Sequence, residues 1–408
     1  MRNCESAIGF YIECLTQTRY LHKRMKTELE QSSSRIQSVD YVRGLVMVLM
    51  AIDHVRVYSG LPAGGPEPGI FFTRWVTHFC APAFVFLSGT SAFLYGSKLN
   101  DTKKLASYLL TRGLLLVVLE LTIIRFLWTF NLDYAKFTLA GVIWMLGWCM
   151  ILLSLLVRLN ARTVGIIGLV IISFQNIFAI VPNLLPEASR GPFGKFWEFI
   201  YSSGFEGPAF INILYVIVPW IGVMAAGYGF GILLQQPFEK RSKLLIQIGV
   251  AATIAFIVAG SVKIFIEAKP GASPFLFNLL NQRKYPASQL YLLMTLGPSI
   301  LLMAFVESSK SFFTKAIVTF GRVPFFYYLL HIPLIHVSAL IVRLITEGKI
   351  SSEWYDTAPY TWVPEDHHWN LGTLYFVFVV DVLILYFACK WYERYKLSHP
   401  QKKWLKFL

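Results

Sequence analysis

The amino-acid sequence predicts an all-α, polytopic integral membrane protein: a helical bundle with about ten transmembrane helices and both termini in the cytoplasm. Hydrophobic residues account for 55% of the 408 residues and charged residues for only 15%, whereas an ordinary soluble domain contains about 25% charged residues. Apolar windows of about 20 residues, the length that crosses the hydrocarbon core of a bilayer, recur along the chain. These observations exclude a water-soluble globular domain.

The windows follow a polar segment at the start of the chain. Residues 1–35 are expected to form a cytoplasmic tail, with Met25 as an alternative start. Residues 36–395 form one predicted transmembrane domain, and residues 396–408 form a basic cytoplasmic tail. The windows lie at residues 41–60, 70–95, 105–127, 139–157, 163–182, 208–234, 244–266, 287–306, 313–345 and 371–393.

Positive charge orients the predicted helices, because Lys and Arg concentrate in cytoplasmic connections. With the N-terminus inside, every inner connection is basic, and the last outer connection (347–370) holds more acidic than basic residues. Membrane topology therefore explains the net charge of +14, and no nucleic-acid partner is expected. The inner connections contain Lys23, Arg24 and Lys26; Lys98, Lys103 and Lys104; Arg158 and Arg162; Lys240, Arg241 and Lys243; and Lys310 and Lys315.

The ninth window is too long for one straight crossing. It contains Pro324 and Pro333, and proline removes a backbone donor from a helix, so we expect a broken or kinked helix of the kind that lines cavities. The small residues Gly89 and Gly227 lie in other windows. They predict close contacts between transmembrane helices.

Ionisable side chains inside the windows are the candidate catalytic residues, because each costs at least about 2.5 kcal/mol at the bilayer centre. Asp53 and His54 are consecutive in the first window. Counted from the side that flanking Lys and Arg identify, His54, His78 and Glu120 reach a similar depth in the outer half of the membrane. Imidazole and carboxylate groups at one depth favour proton transfer, although His78 could simply bond a neighbouring helix.

Arginine side chains lie toward the cytoplasm in the same count. Arg43, Arg112 and Arg322 form this inner group, and guanidinium groups bind phosphates through paired hydrogen bonds. Arg43 and His54 are separated by about 16 Å along the first helix and share one face, since eleven steps of about 100° leave an offset of only about 20°.

Structural interpretations of these residues stay open. Arg43 could pair with Asp40 three residues earlier in the chain, and Arg112 could extend its head group to the membrane surface. Glu120 could neutralise Arg112 or Arg125.

Two further buried groups, His331 and Asp381, are candidates for lining a cavity. His331 and His336 differ by five residues and point about 140° apart on a helix, which disfavours a shared metal site. The five cysteines show no metal-ligand spacing, and no metal is expected.

Five segments carry a resemblance to a known family: SVDYVRGLVMVLMAIDHVR, TRWVTHFCAPAFVFLSGTSAFL, VPWIGVMAAGYGFG, KYPASQLYLLMTLGPS and FGRVPFFYYLLHIPLIH. They resemble the bacterial membrane family related to the catalytic domain of heparan-alpha-glucosaminide N-acetyltransferase, over roughly residues 36–345. The spacing of Arg43 and His54 is also similar to a signature of membrane enzymes that O-acetylate surface polysaccharides.

The resemblance implies transfer of an acyl group, usually acetyl, from cytoplasmic acyl-CoA to a sugar amine or hydroxyl on the far side of the bacterial inner membrane. The inner arginines would bind the acyl-CoA phosphates. His54 would act as general base, with Asp53 or Glu120 orienting it. In the heparan enzyme the functional histidine precedes the second helix; this chain has none at that offset, so His54 and His78 are the alternatives for the role.

The implied partners are membrane lipid, acyl-CoA and a glycan or lipid-linked sugar acceptor, and a homodimer is left open. The competing hypothesis is a proton-coupled transporter or flippase of a small molecule or lipid-linked sugar. Buried histidines, carboxylates and a broken helix would then form its pathway.

Overall fold

The structure is a computed structural model of the chain. It describes residues 35–65, 67–202, 211–267, 274–350, 353–355 and 363–406. Almost all of the predicted N-terminal tail, residues 1–34, lies outside the described residues. The account below concerns the compact unit that runs from Ser38 to the end of the chain, together with the first residue of its first helix.

Helices dominate the described residues, which contain one two-stranded parallel sheet. The helices are α1 (Gln37–Tyr58), α2 (Pro68–Leu99), α3 (Thr102–Leu119, continued by Arg125–Thr129), α4 (Val142–Leu156), α5 (Ala161–Phe174), α6 (Glu187–Trp197), α7 (Trp220–Leu234), α8 (Phe238–Ile266), α9 (Phe275–Leu280), α10 (Gln289–Val306), α11 (Phe312–Arg322), α12 (Pro324–Glu347) and α13 (Leu371–Ser398). The strands are β1 (Leu139–Ala140) and β2 (Asn212–Ile213).

Six of the described helices are long and apolar enough to cross a membrane, which supports an integral membrane protein. Every predicted window coincides with at least one helix. The six spans are Pro68–Leu99, Ala161–Ala179, Phe238–Ile266, Gln289–Val306, Pro324–Glu347 and Leu371–Ser398. The shorter helices α4 and α7 are also apolar. The count of ten crossings and the cytoplasmic termini stay predictions.

The sixth window, 208–234, was wrong in its first half. Residues 211–219 are not helical, and α7 begins only at Trp220. β2 in this stretch pairs with β1. Pro219, which has no backbone N–H to donate, immediately precedes the first helical turn, where that missing donor carries no penalty.

The predicted break in the ninth window is confirmed at one of its two prolines. α11 ends at Arg322 and α12 begins at Pro324, with Val323 between them outside helical geometry. Pro333 lies inside α12 without ending it. The single long window is therefore two helices, which meet at a corner beside α1.

Large apolar side chains face outward from the longest helices. α8 buries only four of its residues and exposes an aliphatic and aromatic surface; its exposed members include Ile254, Ile257, Val258, Val262 and Phe265. In water an apolar surface of this extent would favour aggregation, whereas in a membrane lipid tails cover it at no cost. This surface is the belt expected of a transmembrane bundle.

Several pairs of helices approach closely at glycines, among them the pair at Gly89 that the small-residue pattern predicts. α7 packs against both α2 and α5, and a Cβ atom built on Gly89 of α2 would lie 1.9 Å from the carbonyl oxygen of Met224 in α7. α1 meets α11 in the same way, because a Cβ on Gly44 would lie 1.9 Å from the carbonyl oxygen of Ile317. A Cβ on Gly321 would lie 1.8 Å from that of Asp40. Neither contact has room for any side chain.

We expect Gly89→Ala to lower the thermal stability of the purified protein, because the added methyl group must displace the α7 backbone, at a cost of about 1–3 kcal/mol or more. Gly191→Ala is the matched control, since no atom lies within 4 Å of a Cβ built there. The melting temperature in detergent measures both changes. Equal melting temperatures for the two variants would contradict the close packing of α2 and α7.

Candidate active site

The centre of the site is a hydrogen-bonded pair of histidines from helices far apart in the chain. His54 of α1 and His331 of α12 face each other with 2.7 Å between Nδ1 of His54 and Nε2 of His331. The second ring nitrogen of His331, Nδ1, lies 2.6 Å from the carbonyl oxygen of Tyr328. The three groups form a continuous chain of hydrogen bonds.

This chain determines where the protons are. A carbonyl oxygen can only accept, so Nδ1 of His331 carries a proton and donates it to Tyr328. In the neutral ring, Nε2 of His331 is then the acceptor, and Nδ1 of His54 must donate. His54 is left with a free lone pair on Nε2, which is the form of imidazole that accepts a proton in general base catalysis.

Aromatic rings hold the histidine pair in place. The edge of Trp128 meets the His54 ring at a centroid distance of 4.7 Å, and Tyr58 donates a hydrogen bond of 2.6 Å to the backbone carbonyl of Trp128. On the other side, the ring of Tyr327 stacks on His331. α1, α3 and α12 therefore restrict the rotation of both imidazoles.

Asp53 precedes His54 in α1 but takes a different partner. Its Oδ1 accepts hydrogen bonds from Nε and Nη2 of Arg56, at 3.1 and 2.9 Å. Arg56 also donates to the carbonyl oxygen of Leu61, at 2.9 Å. Successive helix residues point about 100° apart, which directs the Asp53 carboxylate to Arg56 while His331 holds the ring nitrogen of His54.

Lys284 is a buried lysine that the sequence patterns did not single out, and its charge acts on both candidate histidines. Lys284 is only 9% exposed, and its ammonium group acts electrostatically on Asp53, His54 and His78. Its Nζ lies 5.2 Å from the ring centroid of Tyr285, within range of a cation–π contact. His54 and His78, predicted to reach similar depth, thus face a common positive charge.

The sequence contained one signal for Lys284. The residue begins the segment KYPASQLYLLMTLGPS, which carries part of the family resemblance, but it lies outside the predicted helix 287–306. A lysine at a helix end normally reaches water. Only the folding of the connection between α9 and α10 back onto the bundle makes it buried.

His78 is buried, 3% exposed, in the 3₁₀ turn Val76–Phe79 within α2. Its backbone carbonyl accepts a hydrogen bond of 2.7 Å from the hydroxyl of Tyr291 in α10. Within the described part of the chain, Nδ1 of its ring has no hydrogen-bond partner. The ring lines a cavity of about 410 Å³ that also contains Arg74 and Trp75.

Glu120 lies against the start of α4 and has no arginine partner among the described residues. A Cβ atom built on Gly141, the residue before α4, would lie 2.3 Å from Oε1 of Glu120, whereas Oε2 is buried without a hydrogen-bond partner among the described residues. The neighbouring Arg125 instead donates to backbone carbonyls of the connection that follows α3, including Phe137 at 2.7 Å. The carboxyl group of Glu120 therefore lies at the N-terminal end of α4, where the helix dipole favours negative charge.

Arg43 contacts three structural partners. It forms an ion pair of 3.3 Å with Asp40, so the pairing that the sequence left open is present. It also donates to the carbonyl oxygen of Gly321 and to the hydroxyl of Ser91. Arg43 therefore lies at the contact of α1, α2 and α11.

The other two inner arginines also contact protein groups. Arg322, one residue after the carbonyl that Arg43 binds, pairs with Glu393 of α13 at 2.6 Å. Arg112 donates to the hydroxyl of Tyr108 at 3.0 Å. The Nε group of Arg322 has no partner among the described residues.

The remaining candidates are separate from the histidine pair. Asp381 of α13 is fully buried and accepts a hydrogen bond of 2.8 Å from Ser338 of α12. His336 stacks on Phe130 with 3.9 Å between ring centroids. No cluster of three or more metal-ligating side chains occurs among the residues that the structure describes.

Comparison with known proteins supports the resemblance seen in the motifs. Residues 35–270 match the family described as heparan-alpha-glucosaminide N-acetyltransferase, catalytic. This region contains His54, His78, Glu120 and two of the inner arginines, whereas Lys284 and His331 follow it in the chain. No curated protein matches the chain. The family points to a membrane-bound acetyltransferase.

We expect Glu120→Ala to destabilise the protein by about 1–2 kcal/mol, because it removes the carboxyl group that lies at the N-terminus of α4. Glu120→Gln keeps a side chain of the same size and should lose less. Thermal unfolding in detergent, followed for both variants, measures the difference. A Glu120→Ala variant as stable as the wild-type protein would show that this side chain does not stabilise the start of α4.

Proposed function

We propose, from the premise that this chain belongs to the family of the heparan-alpha-glucosaminide N-acetyltransferase catalytic domain, that it is a transmembrane acyltransferase. It transfers an acyl group, normally acetyl, from cytoplasmic acyl-CoA to an amine or hydroxyl of a sugar on the extracytoplasmic side. In this proposal the protein crosses the bacterial inner membrane ten times with both termini in the cytoplasm.

The observation that carries the proposal is the hydrogen-bond chain from His54 through His331 to the carbonyl of Tyr328. It leaves the basic nitrogen of His54 unprotonated and holds its ring in one orientation. A general base needs both properties. A histidine that only stabilised the bundle would need neither a fixed tautomer nor a half-buried position beside a buried ammonium group.

Acyl-CoA would approach from the inner end of α1. Arg43 and Arg322 lie at this end of the helix. Together with Arg112, they would release part of their present contacts with protein groups and bind the phosphates of the nucleotide. The distance of about 16 Å from Arg43 to His54 along α1 is one that an extended pantetheine arm can bridge. The thioester would then lie beside His54.

In the transfer step, the acceptor nitrogen or oxygen attacks the thioester carbonyl carbon while Nε2 of His54 takes the proton of the acceptor. The new carbon–nitrogen or carbon–oxygen bond forms, and the carbonyl oxygen becomes an oxyanion. Collapse of this intermediate breaks the carbon–sulfur bond. The CoA thiolate leaves and takes the proton back from the His54 imidazolium, so the ring returns to its starting state.

Lys284 would stabilise the oxyanion. Its ammonium group already acts electrostatically on His54 and His78 in the same region, and positive charge in a site that excludes water is most effective where negative charge develops. His78 would contact the acceptor sugar and would not act as the general base, because its ring lines the cavity beside Arg74.

We expect His54→Ala to lower the rate of transfer by about 10²–10⁴, the contribution of a general base, while acyl-CoA binding stays within about twofold. Transfer of radiolabelled acetyl from acetyl-CoA to a methyl glucosaminide by purified protein in liposomes measures the rate. His331→Ala should lower kcat more than it changes KM, because it removes only the group that orients the His54 ring.

His399→Ala is the control for loss of a histidine, since His399 follows α13 at the far end of the chain and bonds only to local groups. Wild-type transfer rates in His54→Ala would reject the mechanism. A purified protein that binds no acyl-CoA would favour the transporter hypothesis instead.

Lys284→Met is expected to lower kcat by about 10²–10³, as the loss of one oxyanion donor does in other acyltransfer enzymes. Lys284→Arg should restore part of the rate, because it restores the charge. Lys349→Met, at an exposed position after α12, controls for the removal of a lysine. Equal kcat values in the Lys284→Met and Lys349→Met variants would exclude Lys284 from the reaction.

A further inference from the structure

The cavity beside His78 differs in character from the rest of the bundle interior. It encloses about 410 Å³ between the connection after α1, the first turns of α2 and the helix α9. Its walls include two backbone-exposing glycines, Gly64 and Gly65, and two asparagines, Asn278 and Asn281. A volume of this size fits one or two sugar rings or a comparable polar molecule.

Three polar groups at the cavity have no protein acceptor within the described residues. The guanidinium group of Arg74 forms no hydrogen bond or ion pair there, and the indole N–H of Trp75 and Nδ1 of His78 are buried without a partner. Buried donors without acceptors cost about 1–3 kcal/mol each. Of the three, the guanidinium group of Arg74 is the one that a ligand with acceptor oxygens in the cavity would bind.

The charged side chains at the cavity are mainly positive. None of the described residues that line it is acidic, and two cations, Arg74 and Lys284, act electrostatically on His78. The nearest carboxylate that also acts on His78 is Asp53, which Arg56 already holds through two hydrogen bonds. The cavity therefore has uncompensated positive charge, which favours an anionic ligand.

Aromatic rings also line the cavity. Phe71 of α2 and Phe277 of α9 are in contact, with 4.5 Å between ring centroids, and Trp75 lies beside them. Ring faces of this kind pack against the apolar C–H face of a sugar. Aromatic rings together with a guanidinium group and two amides suit a sugar that bears a charged substituent.

We propose that this cavity binds the acceptor and that the acceptor is a sugar carrying an anionic group, a phosphate or a carboxylate, which Arg74 holds through paired hydrogen bonds. The inference rests on the proposed transferase function and adds the acceptor's charge. Lys284 and Asp53 act electrostatically on His54 as on His78, and the His78 ring lines the cavity. A lipid-linked sugar phosphate and a free sugar phosphate share this chemistry.

The test compares acetyl transfer to two probes, glucosamine 6-phosphate and methyl α-glucosaminide, which differ in the anionic group. In wild-type protein we expect a KM at least about tenfold lower for the phosphate sugar, the effect of one charge-assisted paired contact. Arg74→Gln should remove this preference, and Arg74→Lys should keep part of it. Arg283→Gln, an exposed arginine that does not line the cavity, should leave the preference unchanged.

Binding without turnover separates the two proposals. Equilibrium dialysis of the same probes against His54→Ala protein, without acyl-CoA, should show Arg74-dependent binding of glucosamine 6-phosphate. Binding of this kind with no transfer in wild-type protein would reject the transferase function and keep the anion site. Transfer to both sugars with equal KM values, unchanged by Arg74→Gln, would overturn the anion site and keep the function.

Competition identifies the source of the anion. If phosphatidylglycerol vesicles, and not phosphatidylcholine vesicles, displace the sugar phosphate, the site accepts a lipid-borne phosphate, which supports a lipid-linked acceptor. Displacement by neither supports a free anionic sugar. Displacement by phosphatidylcholine as well would mean that the cavity binds lipid without regard to net charge, and this result would overturn the proposal.

Discussion

The arrangement of the site depends on the contact between α1 and α11, where Gly44 and Gly321 bring two backbones together with no side chain between them. The contact places Arg43 against the carbonyl of Gly321. From this point α1 continues to His54, while the chain turns at Val323 and enters α12, which delivers His331. The two histidines meet because both helices start from one fixed crossing.

Hydrogen bonds and ion pairs between buried polar groups hold the rest of the interior together. A buried polar group in an apolar bundle is stable only when it is paired, and most of those described here are: Asp53 with Arg56, Glu120 with the α4 N-terminus, Asp381 with Ser338. Buried polar atoms without a partner among the described residues occur beside the cavity, at Trp75 and His78, and also elsewhere in the bundle, for example at Gln175 and His336.

Much of the fold could be predicted from the sequence, since apolar length and the proline at 324 determine helices and their break. The similar depth of His54 and His78, which follows from counting residues along each helix, stays a prediction. The pairing of His54 with His331 could not, since the two residues lie 277 positions apart and no local pattern encodes a contact between distant helices. The position of Glu120 at the start of α4 could not be predicted for a related reason, since the N-terminus of a neighbouring helix is not visible in a sequence.

The fixed tautomer of the histidine pair has a consequence for how such proteins diverge. If a residue without a ring N–H donor replaces His54, Nε2 of His331 loses its hydrogen bond. It then becomes a buried polar atom without a partner. Selection would then act on position 331 as well. Relatives that have lost the base should therefore also have lost its partner, so joint substitution at these two positions would identify members that kept the fold and abandoned the chemistry.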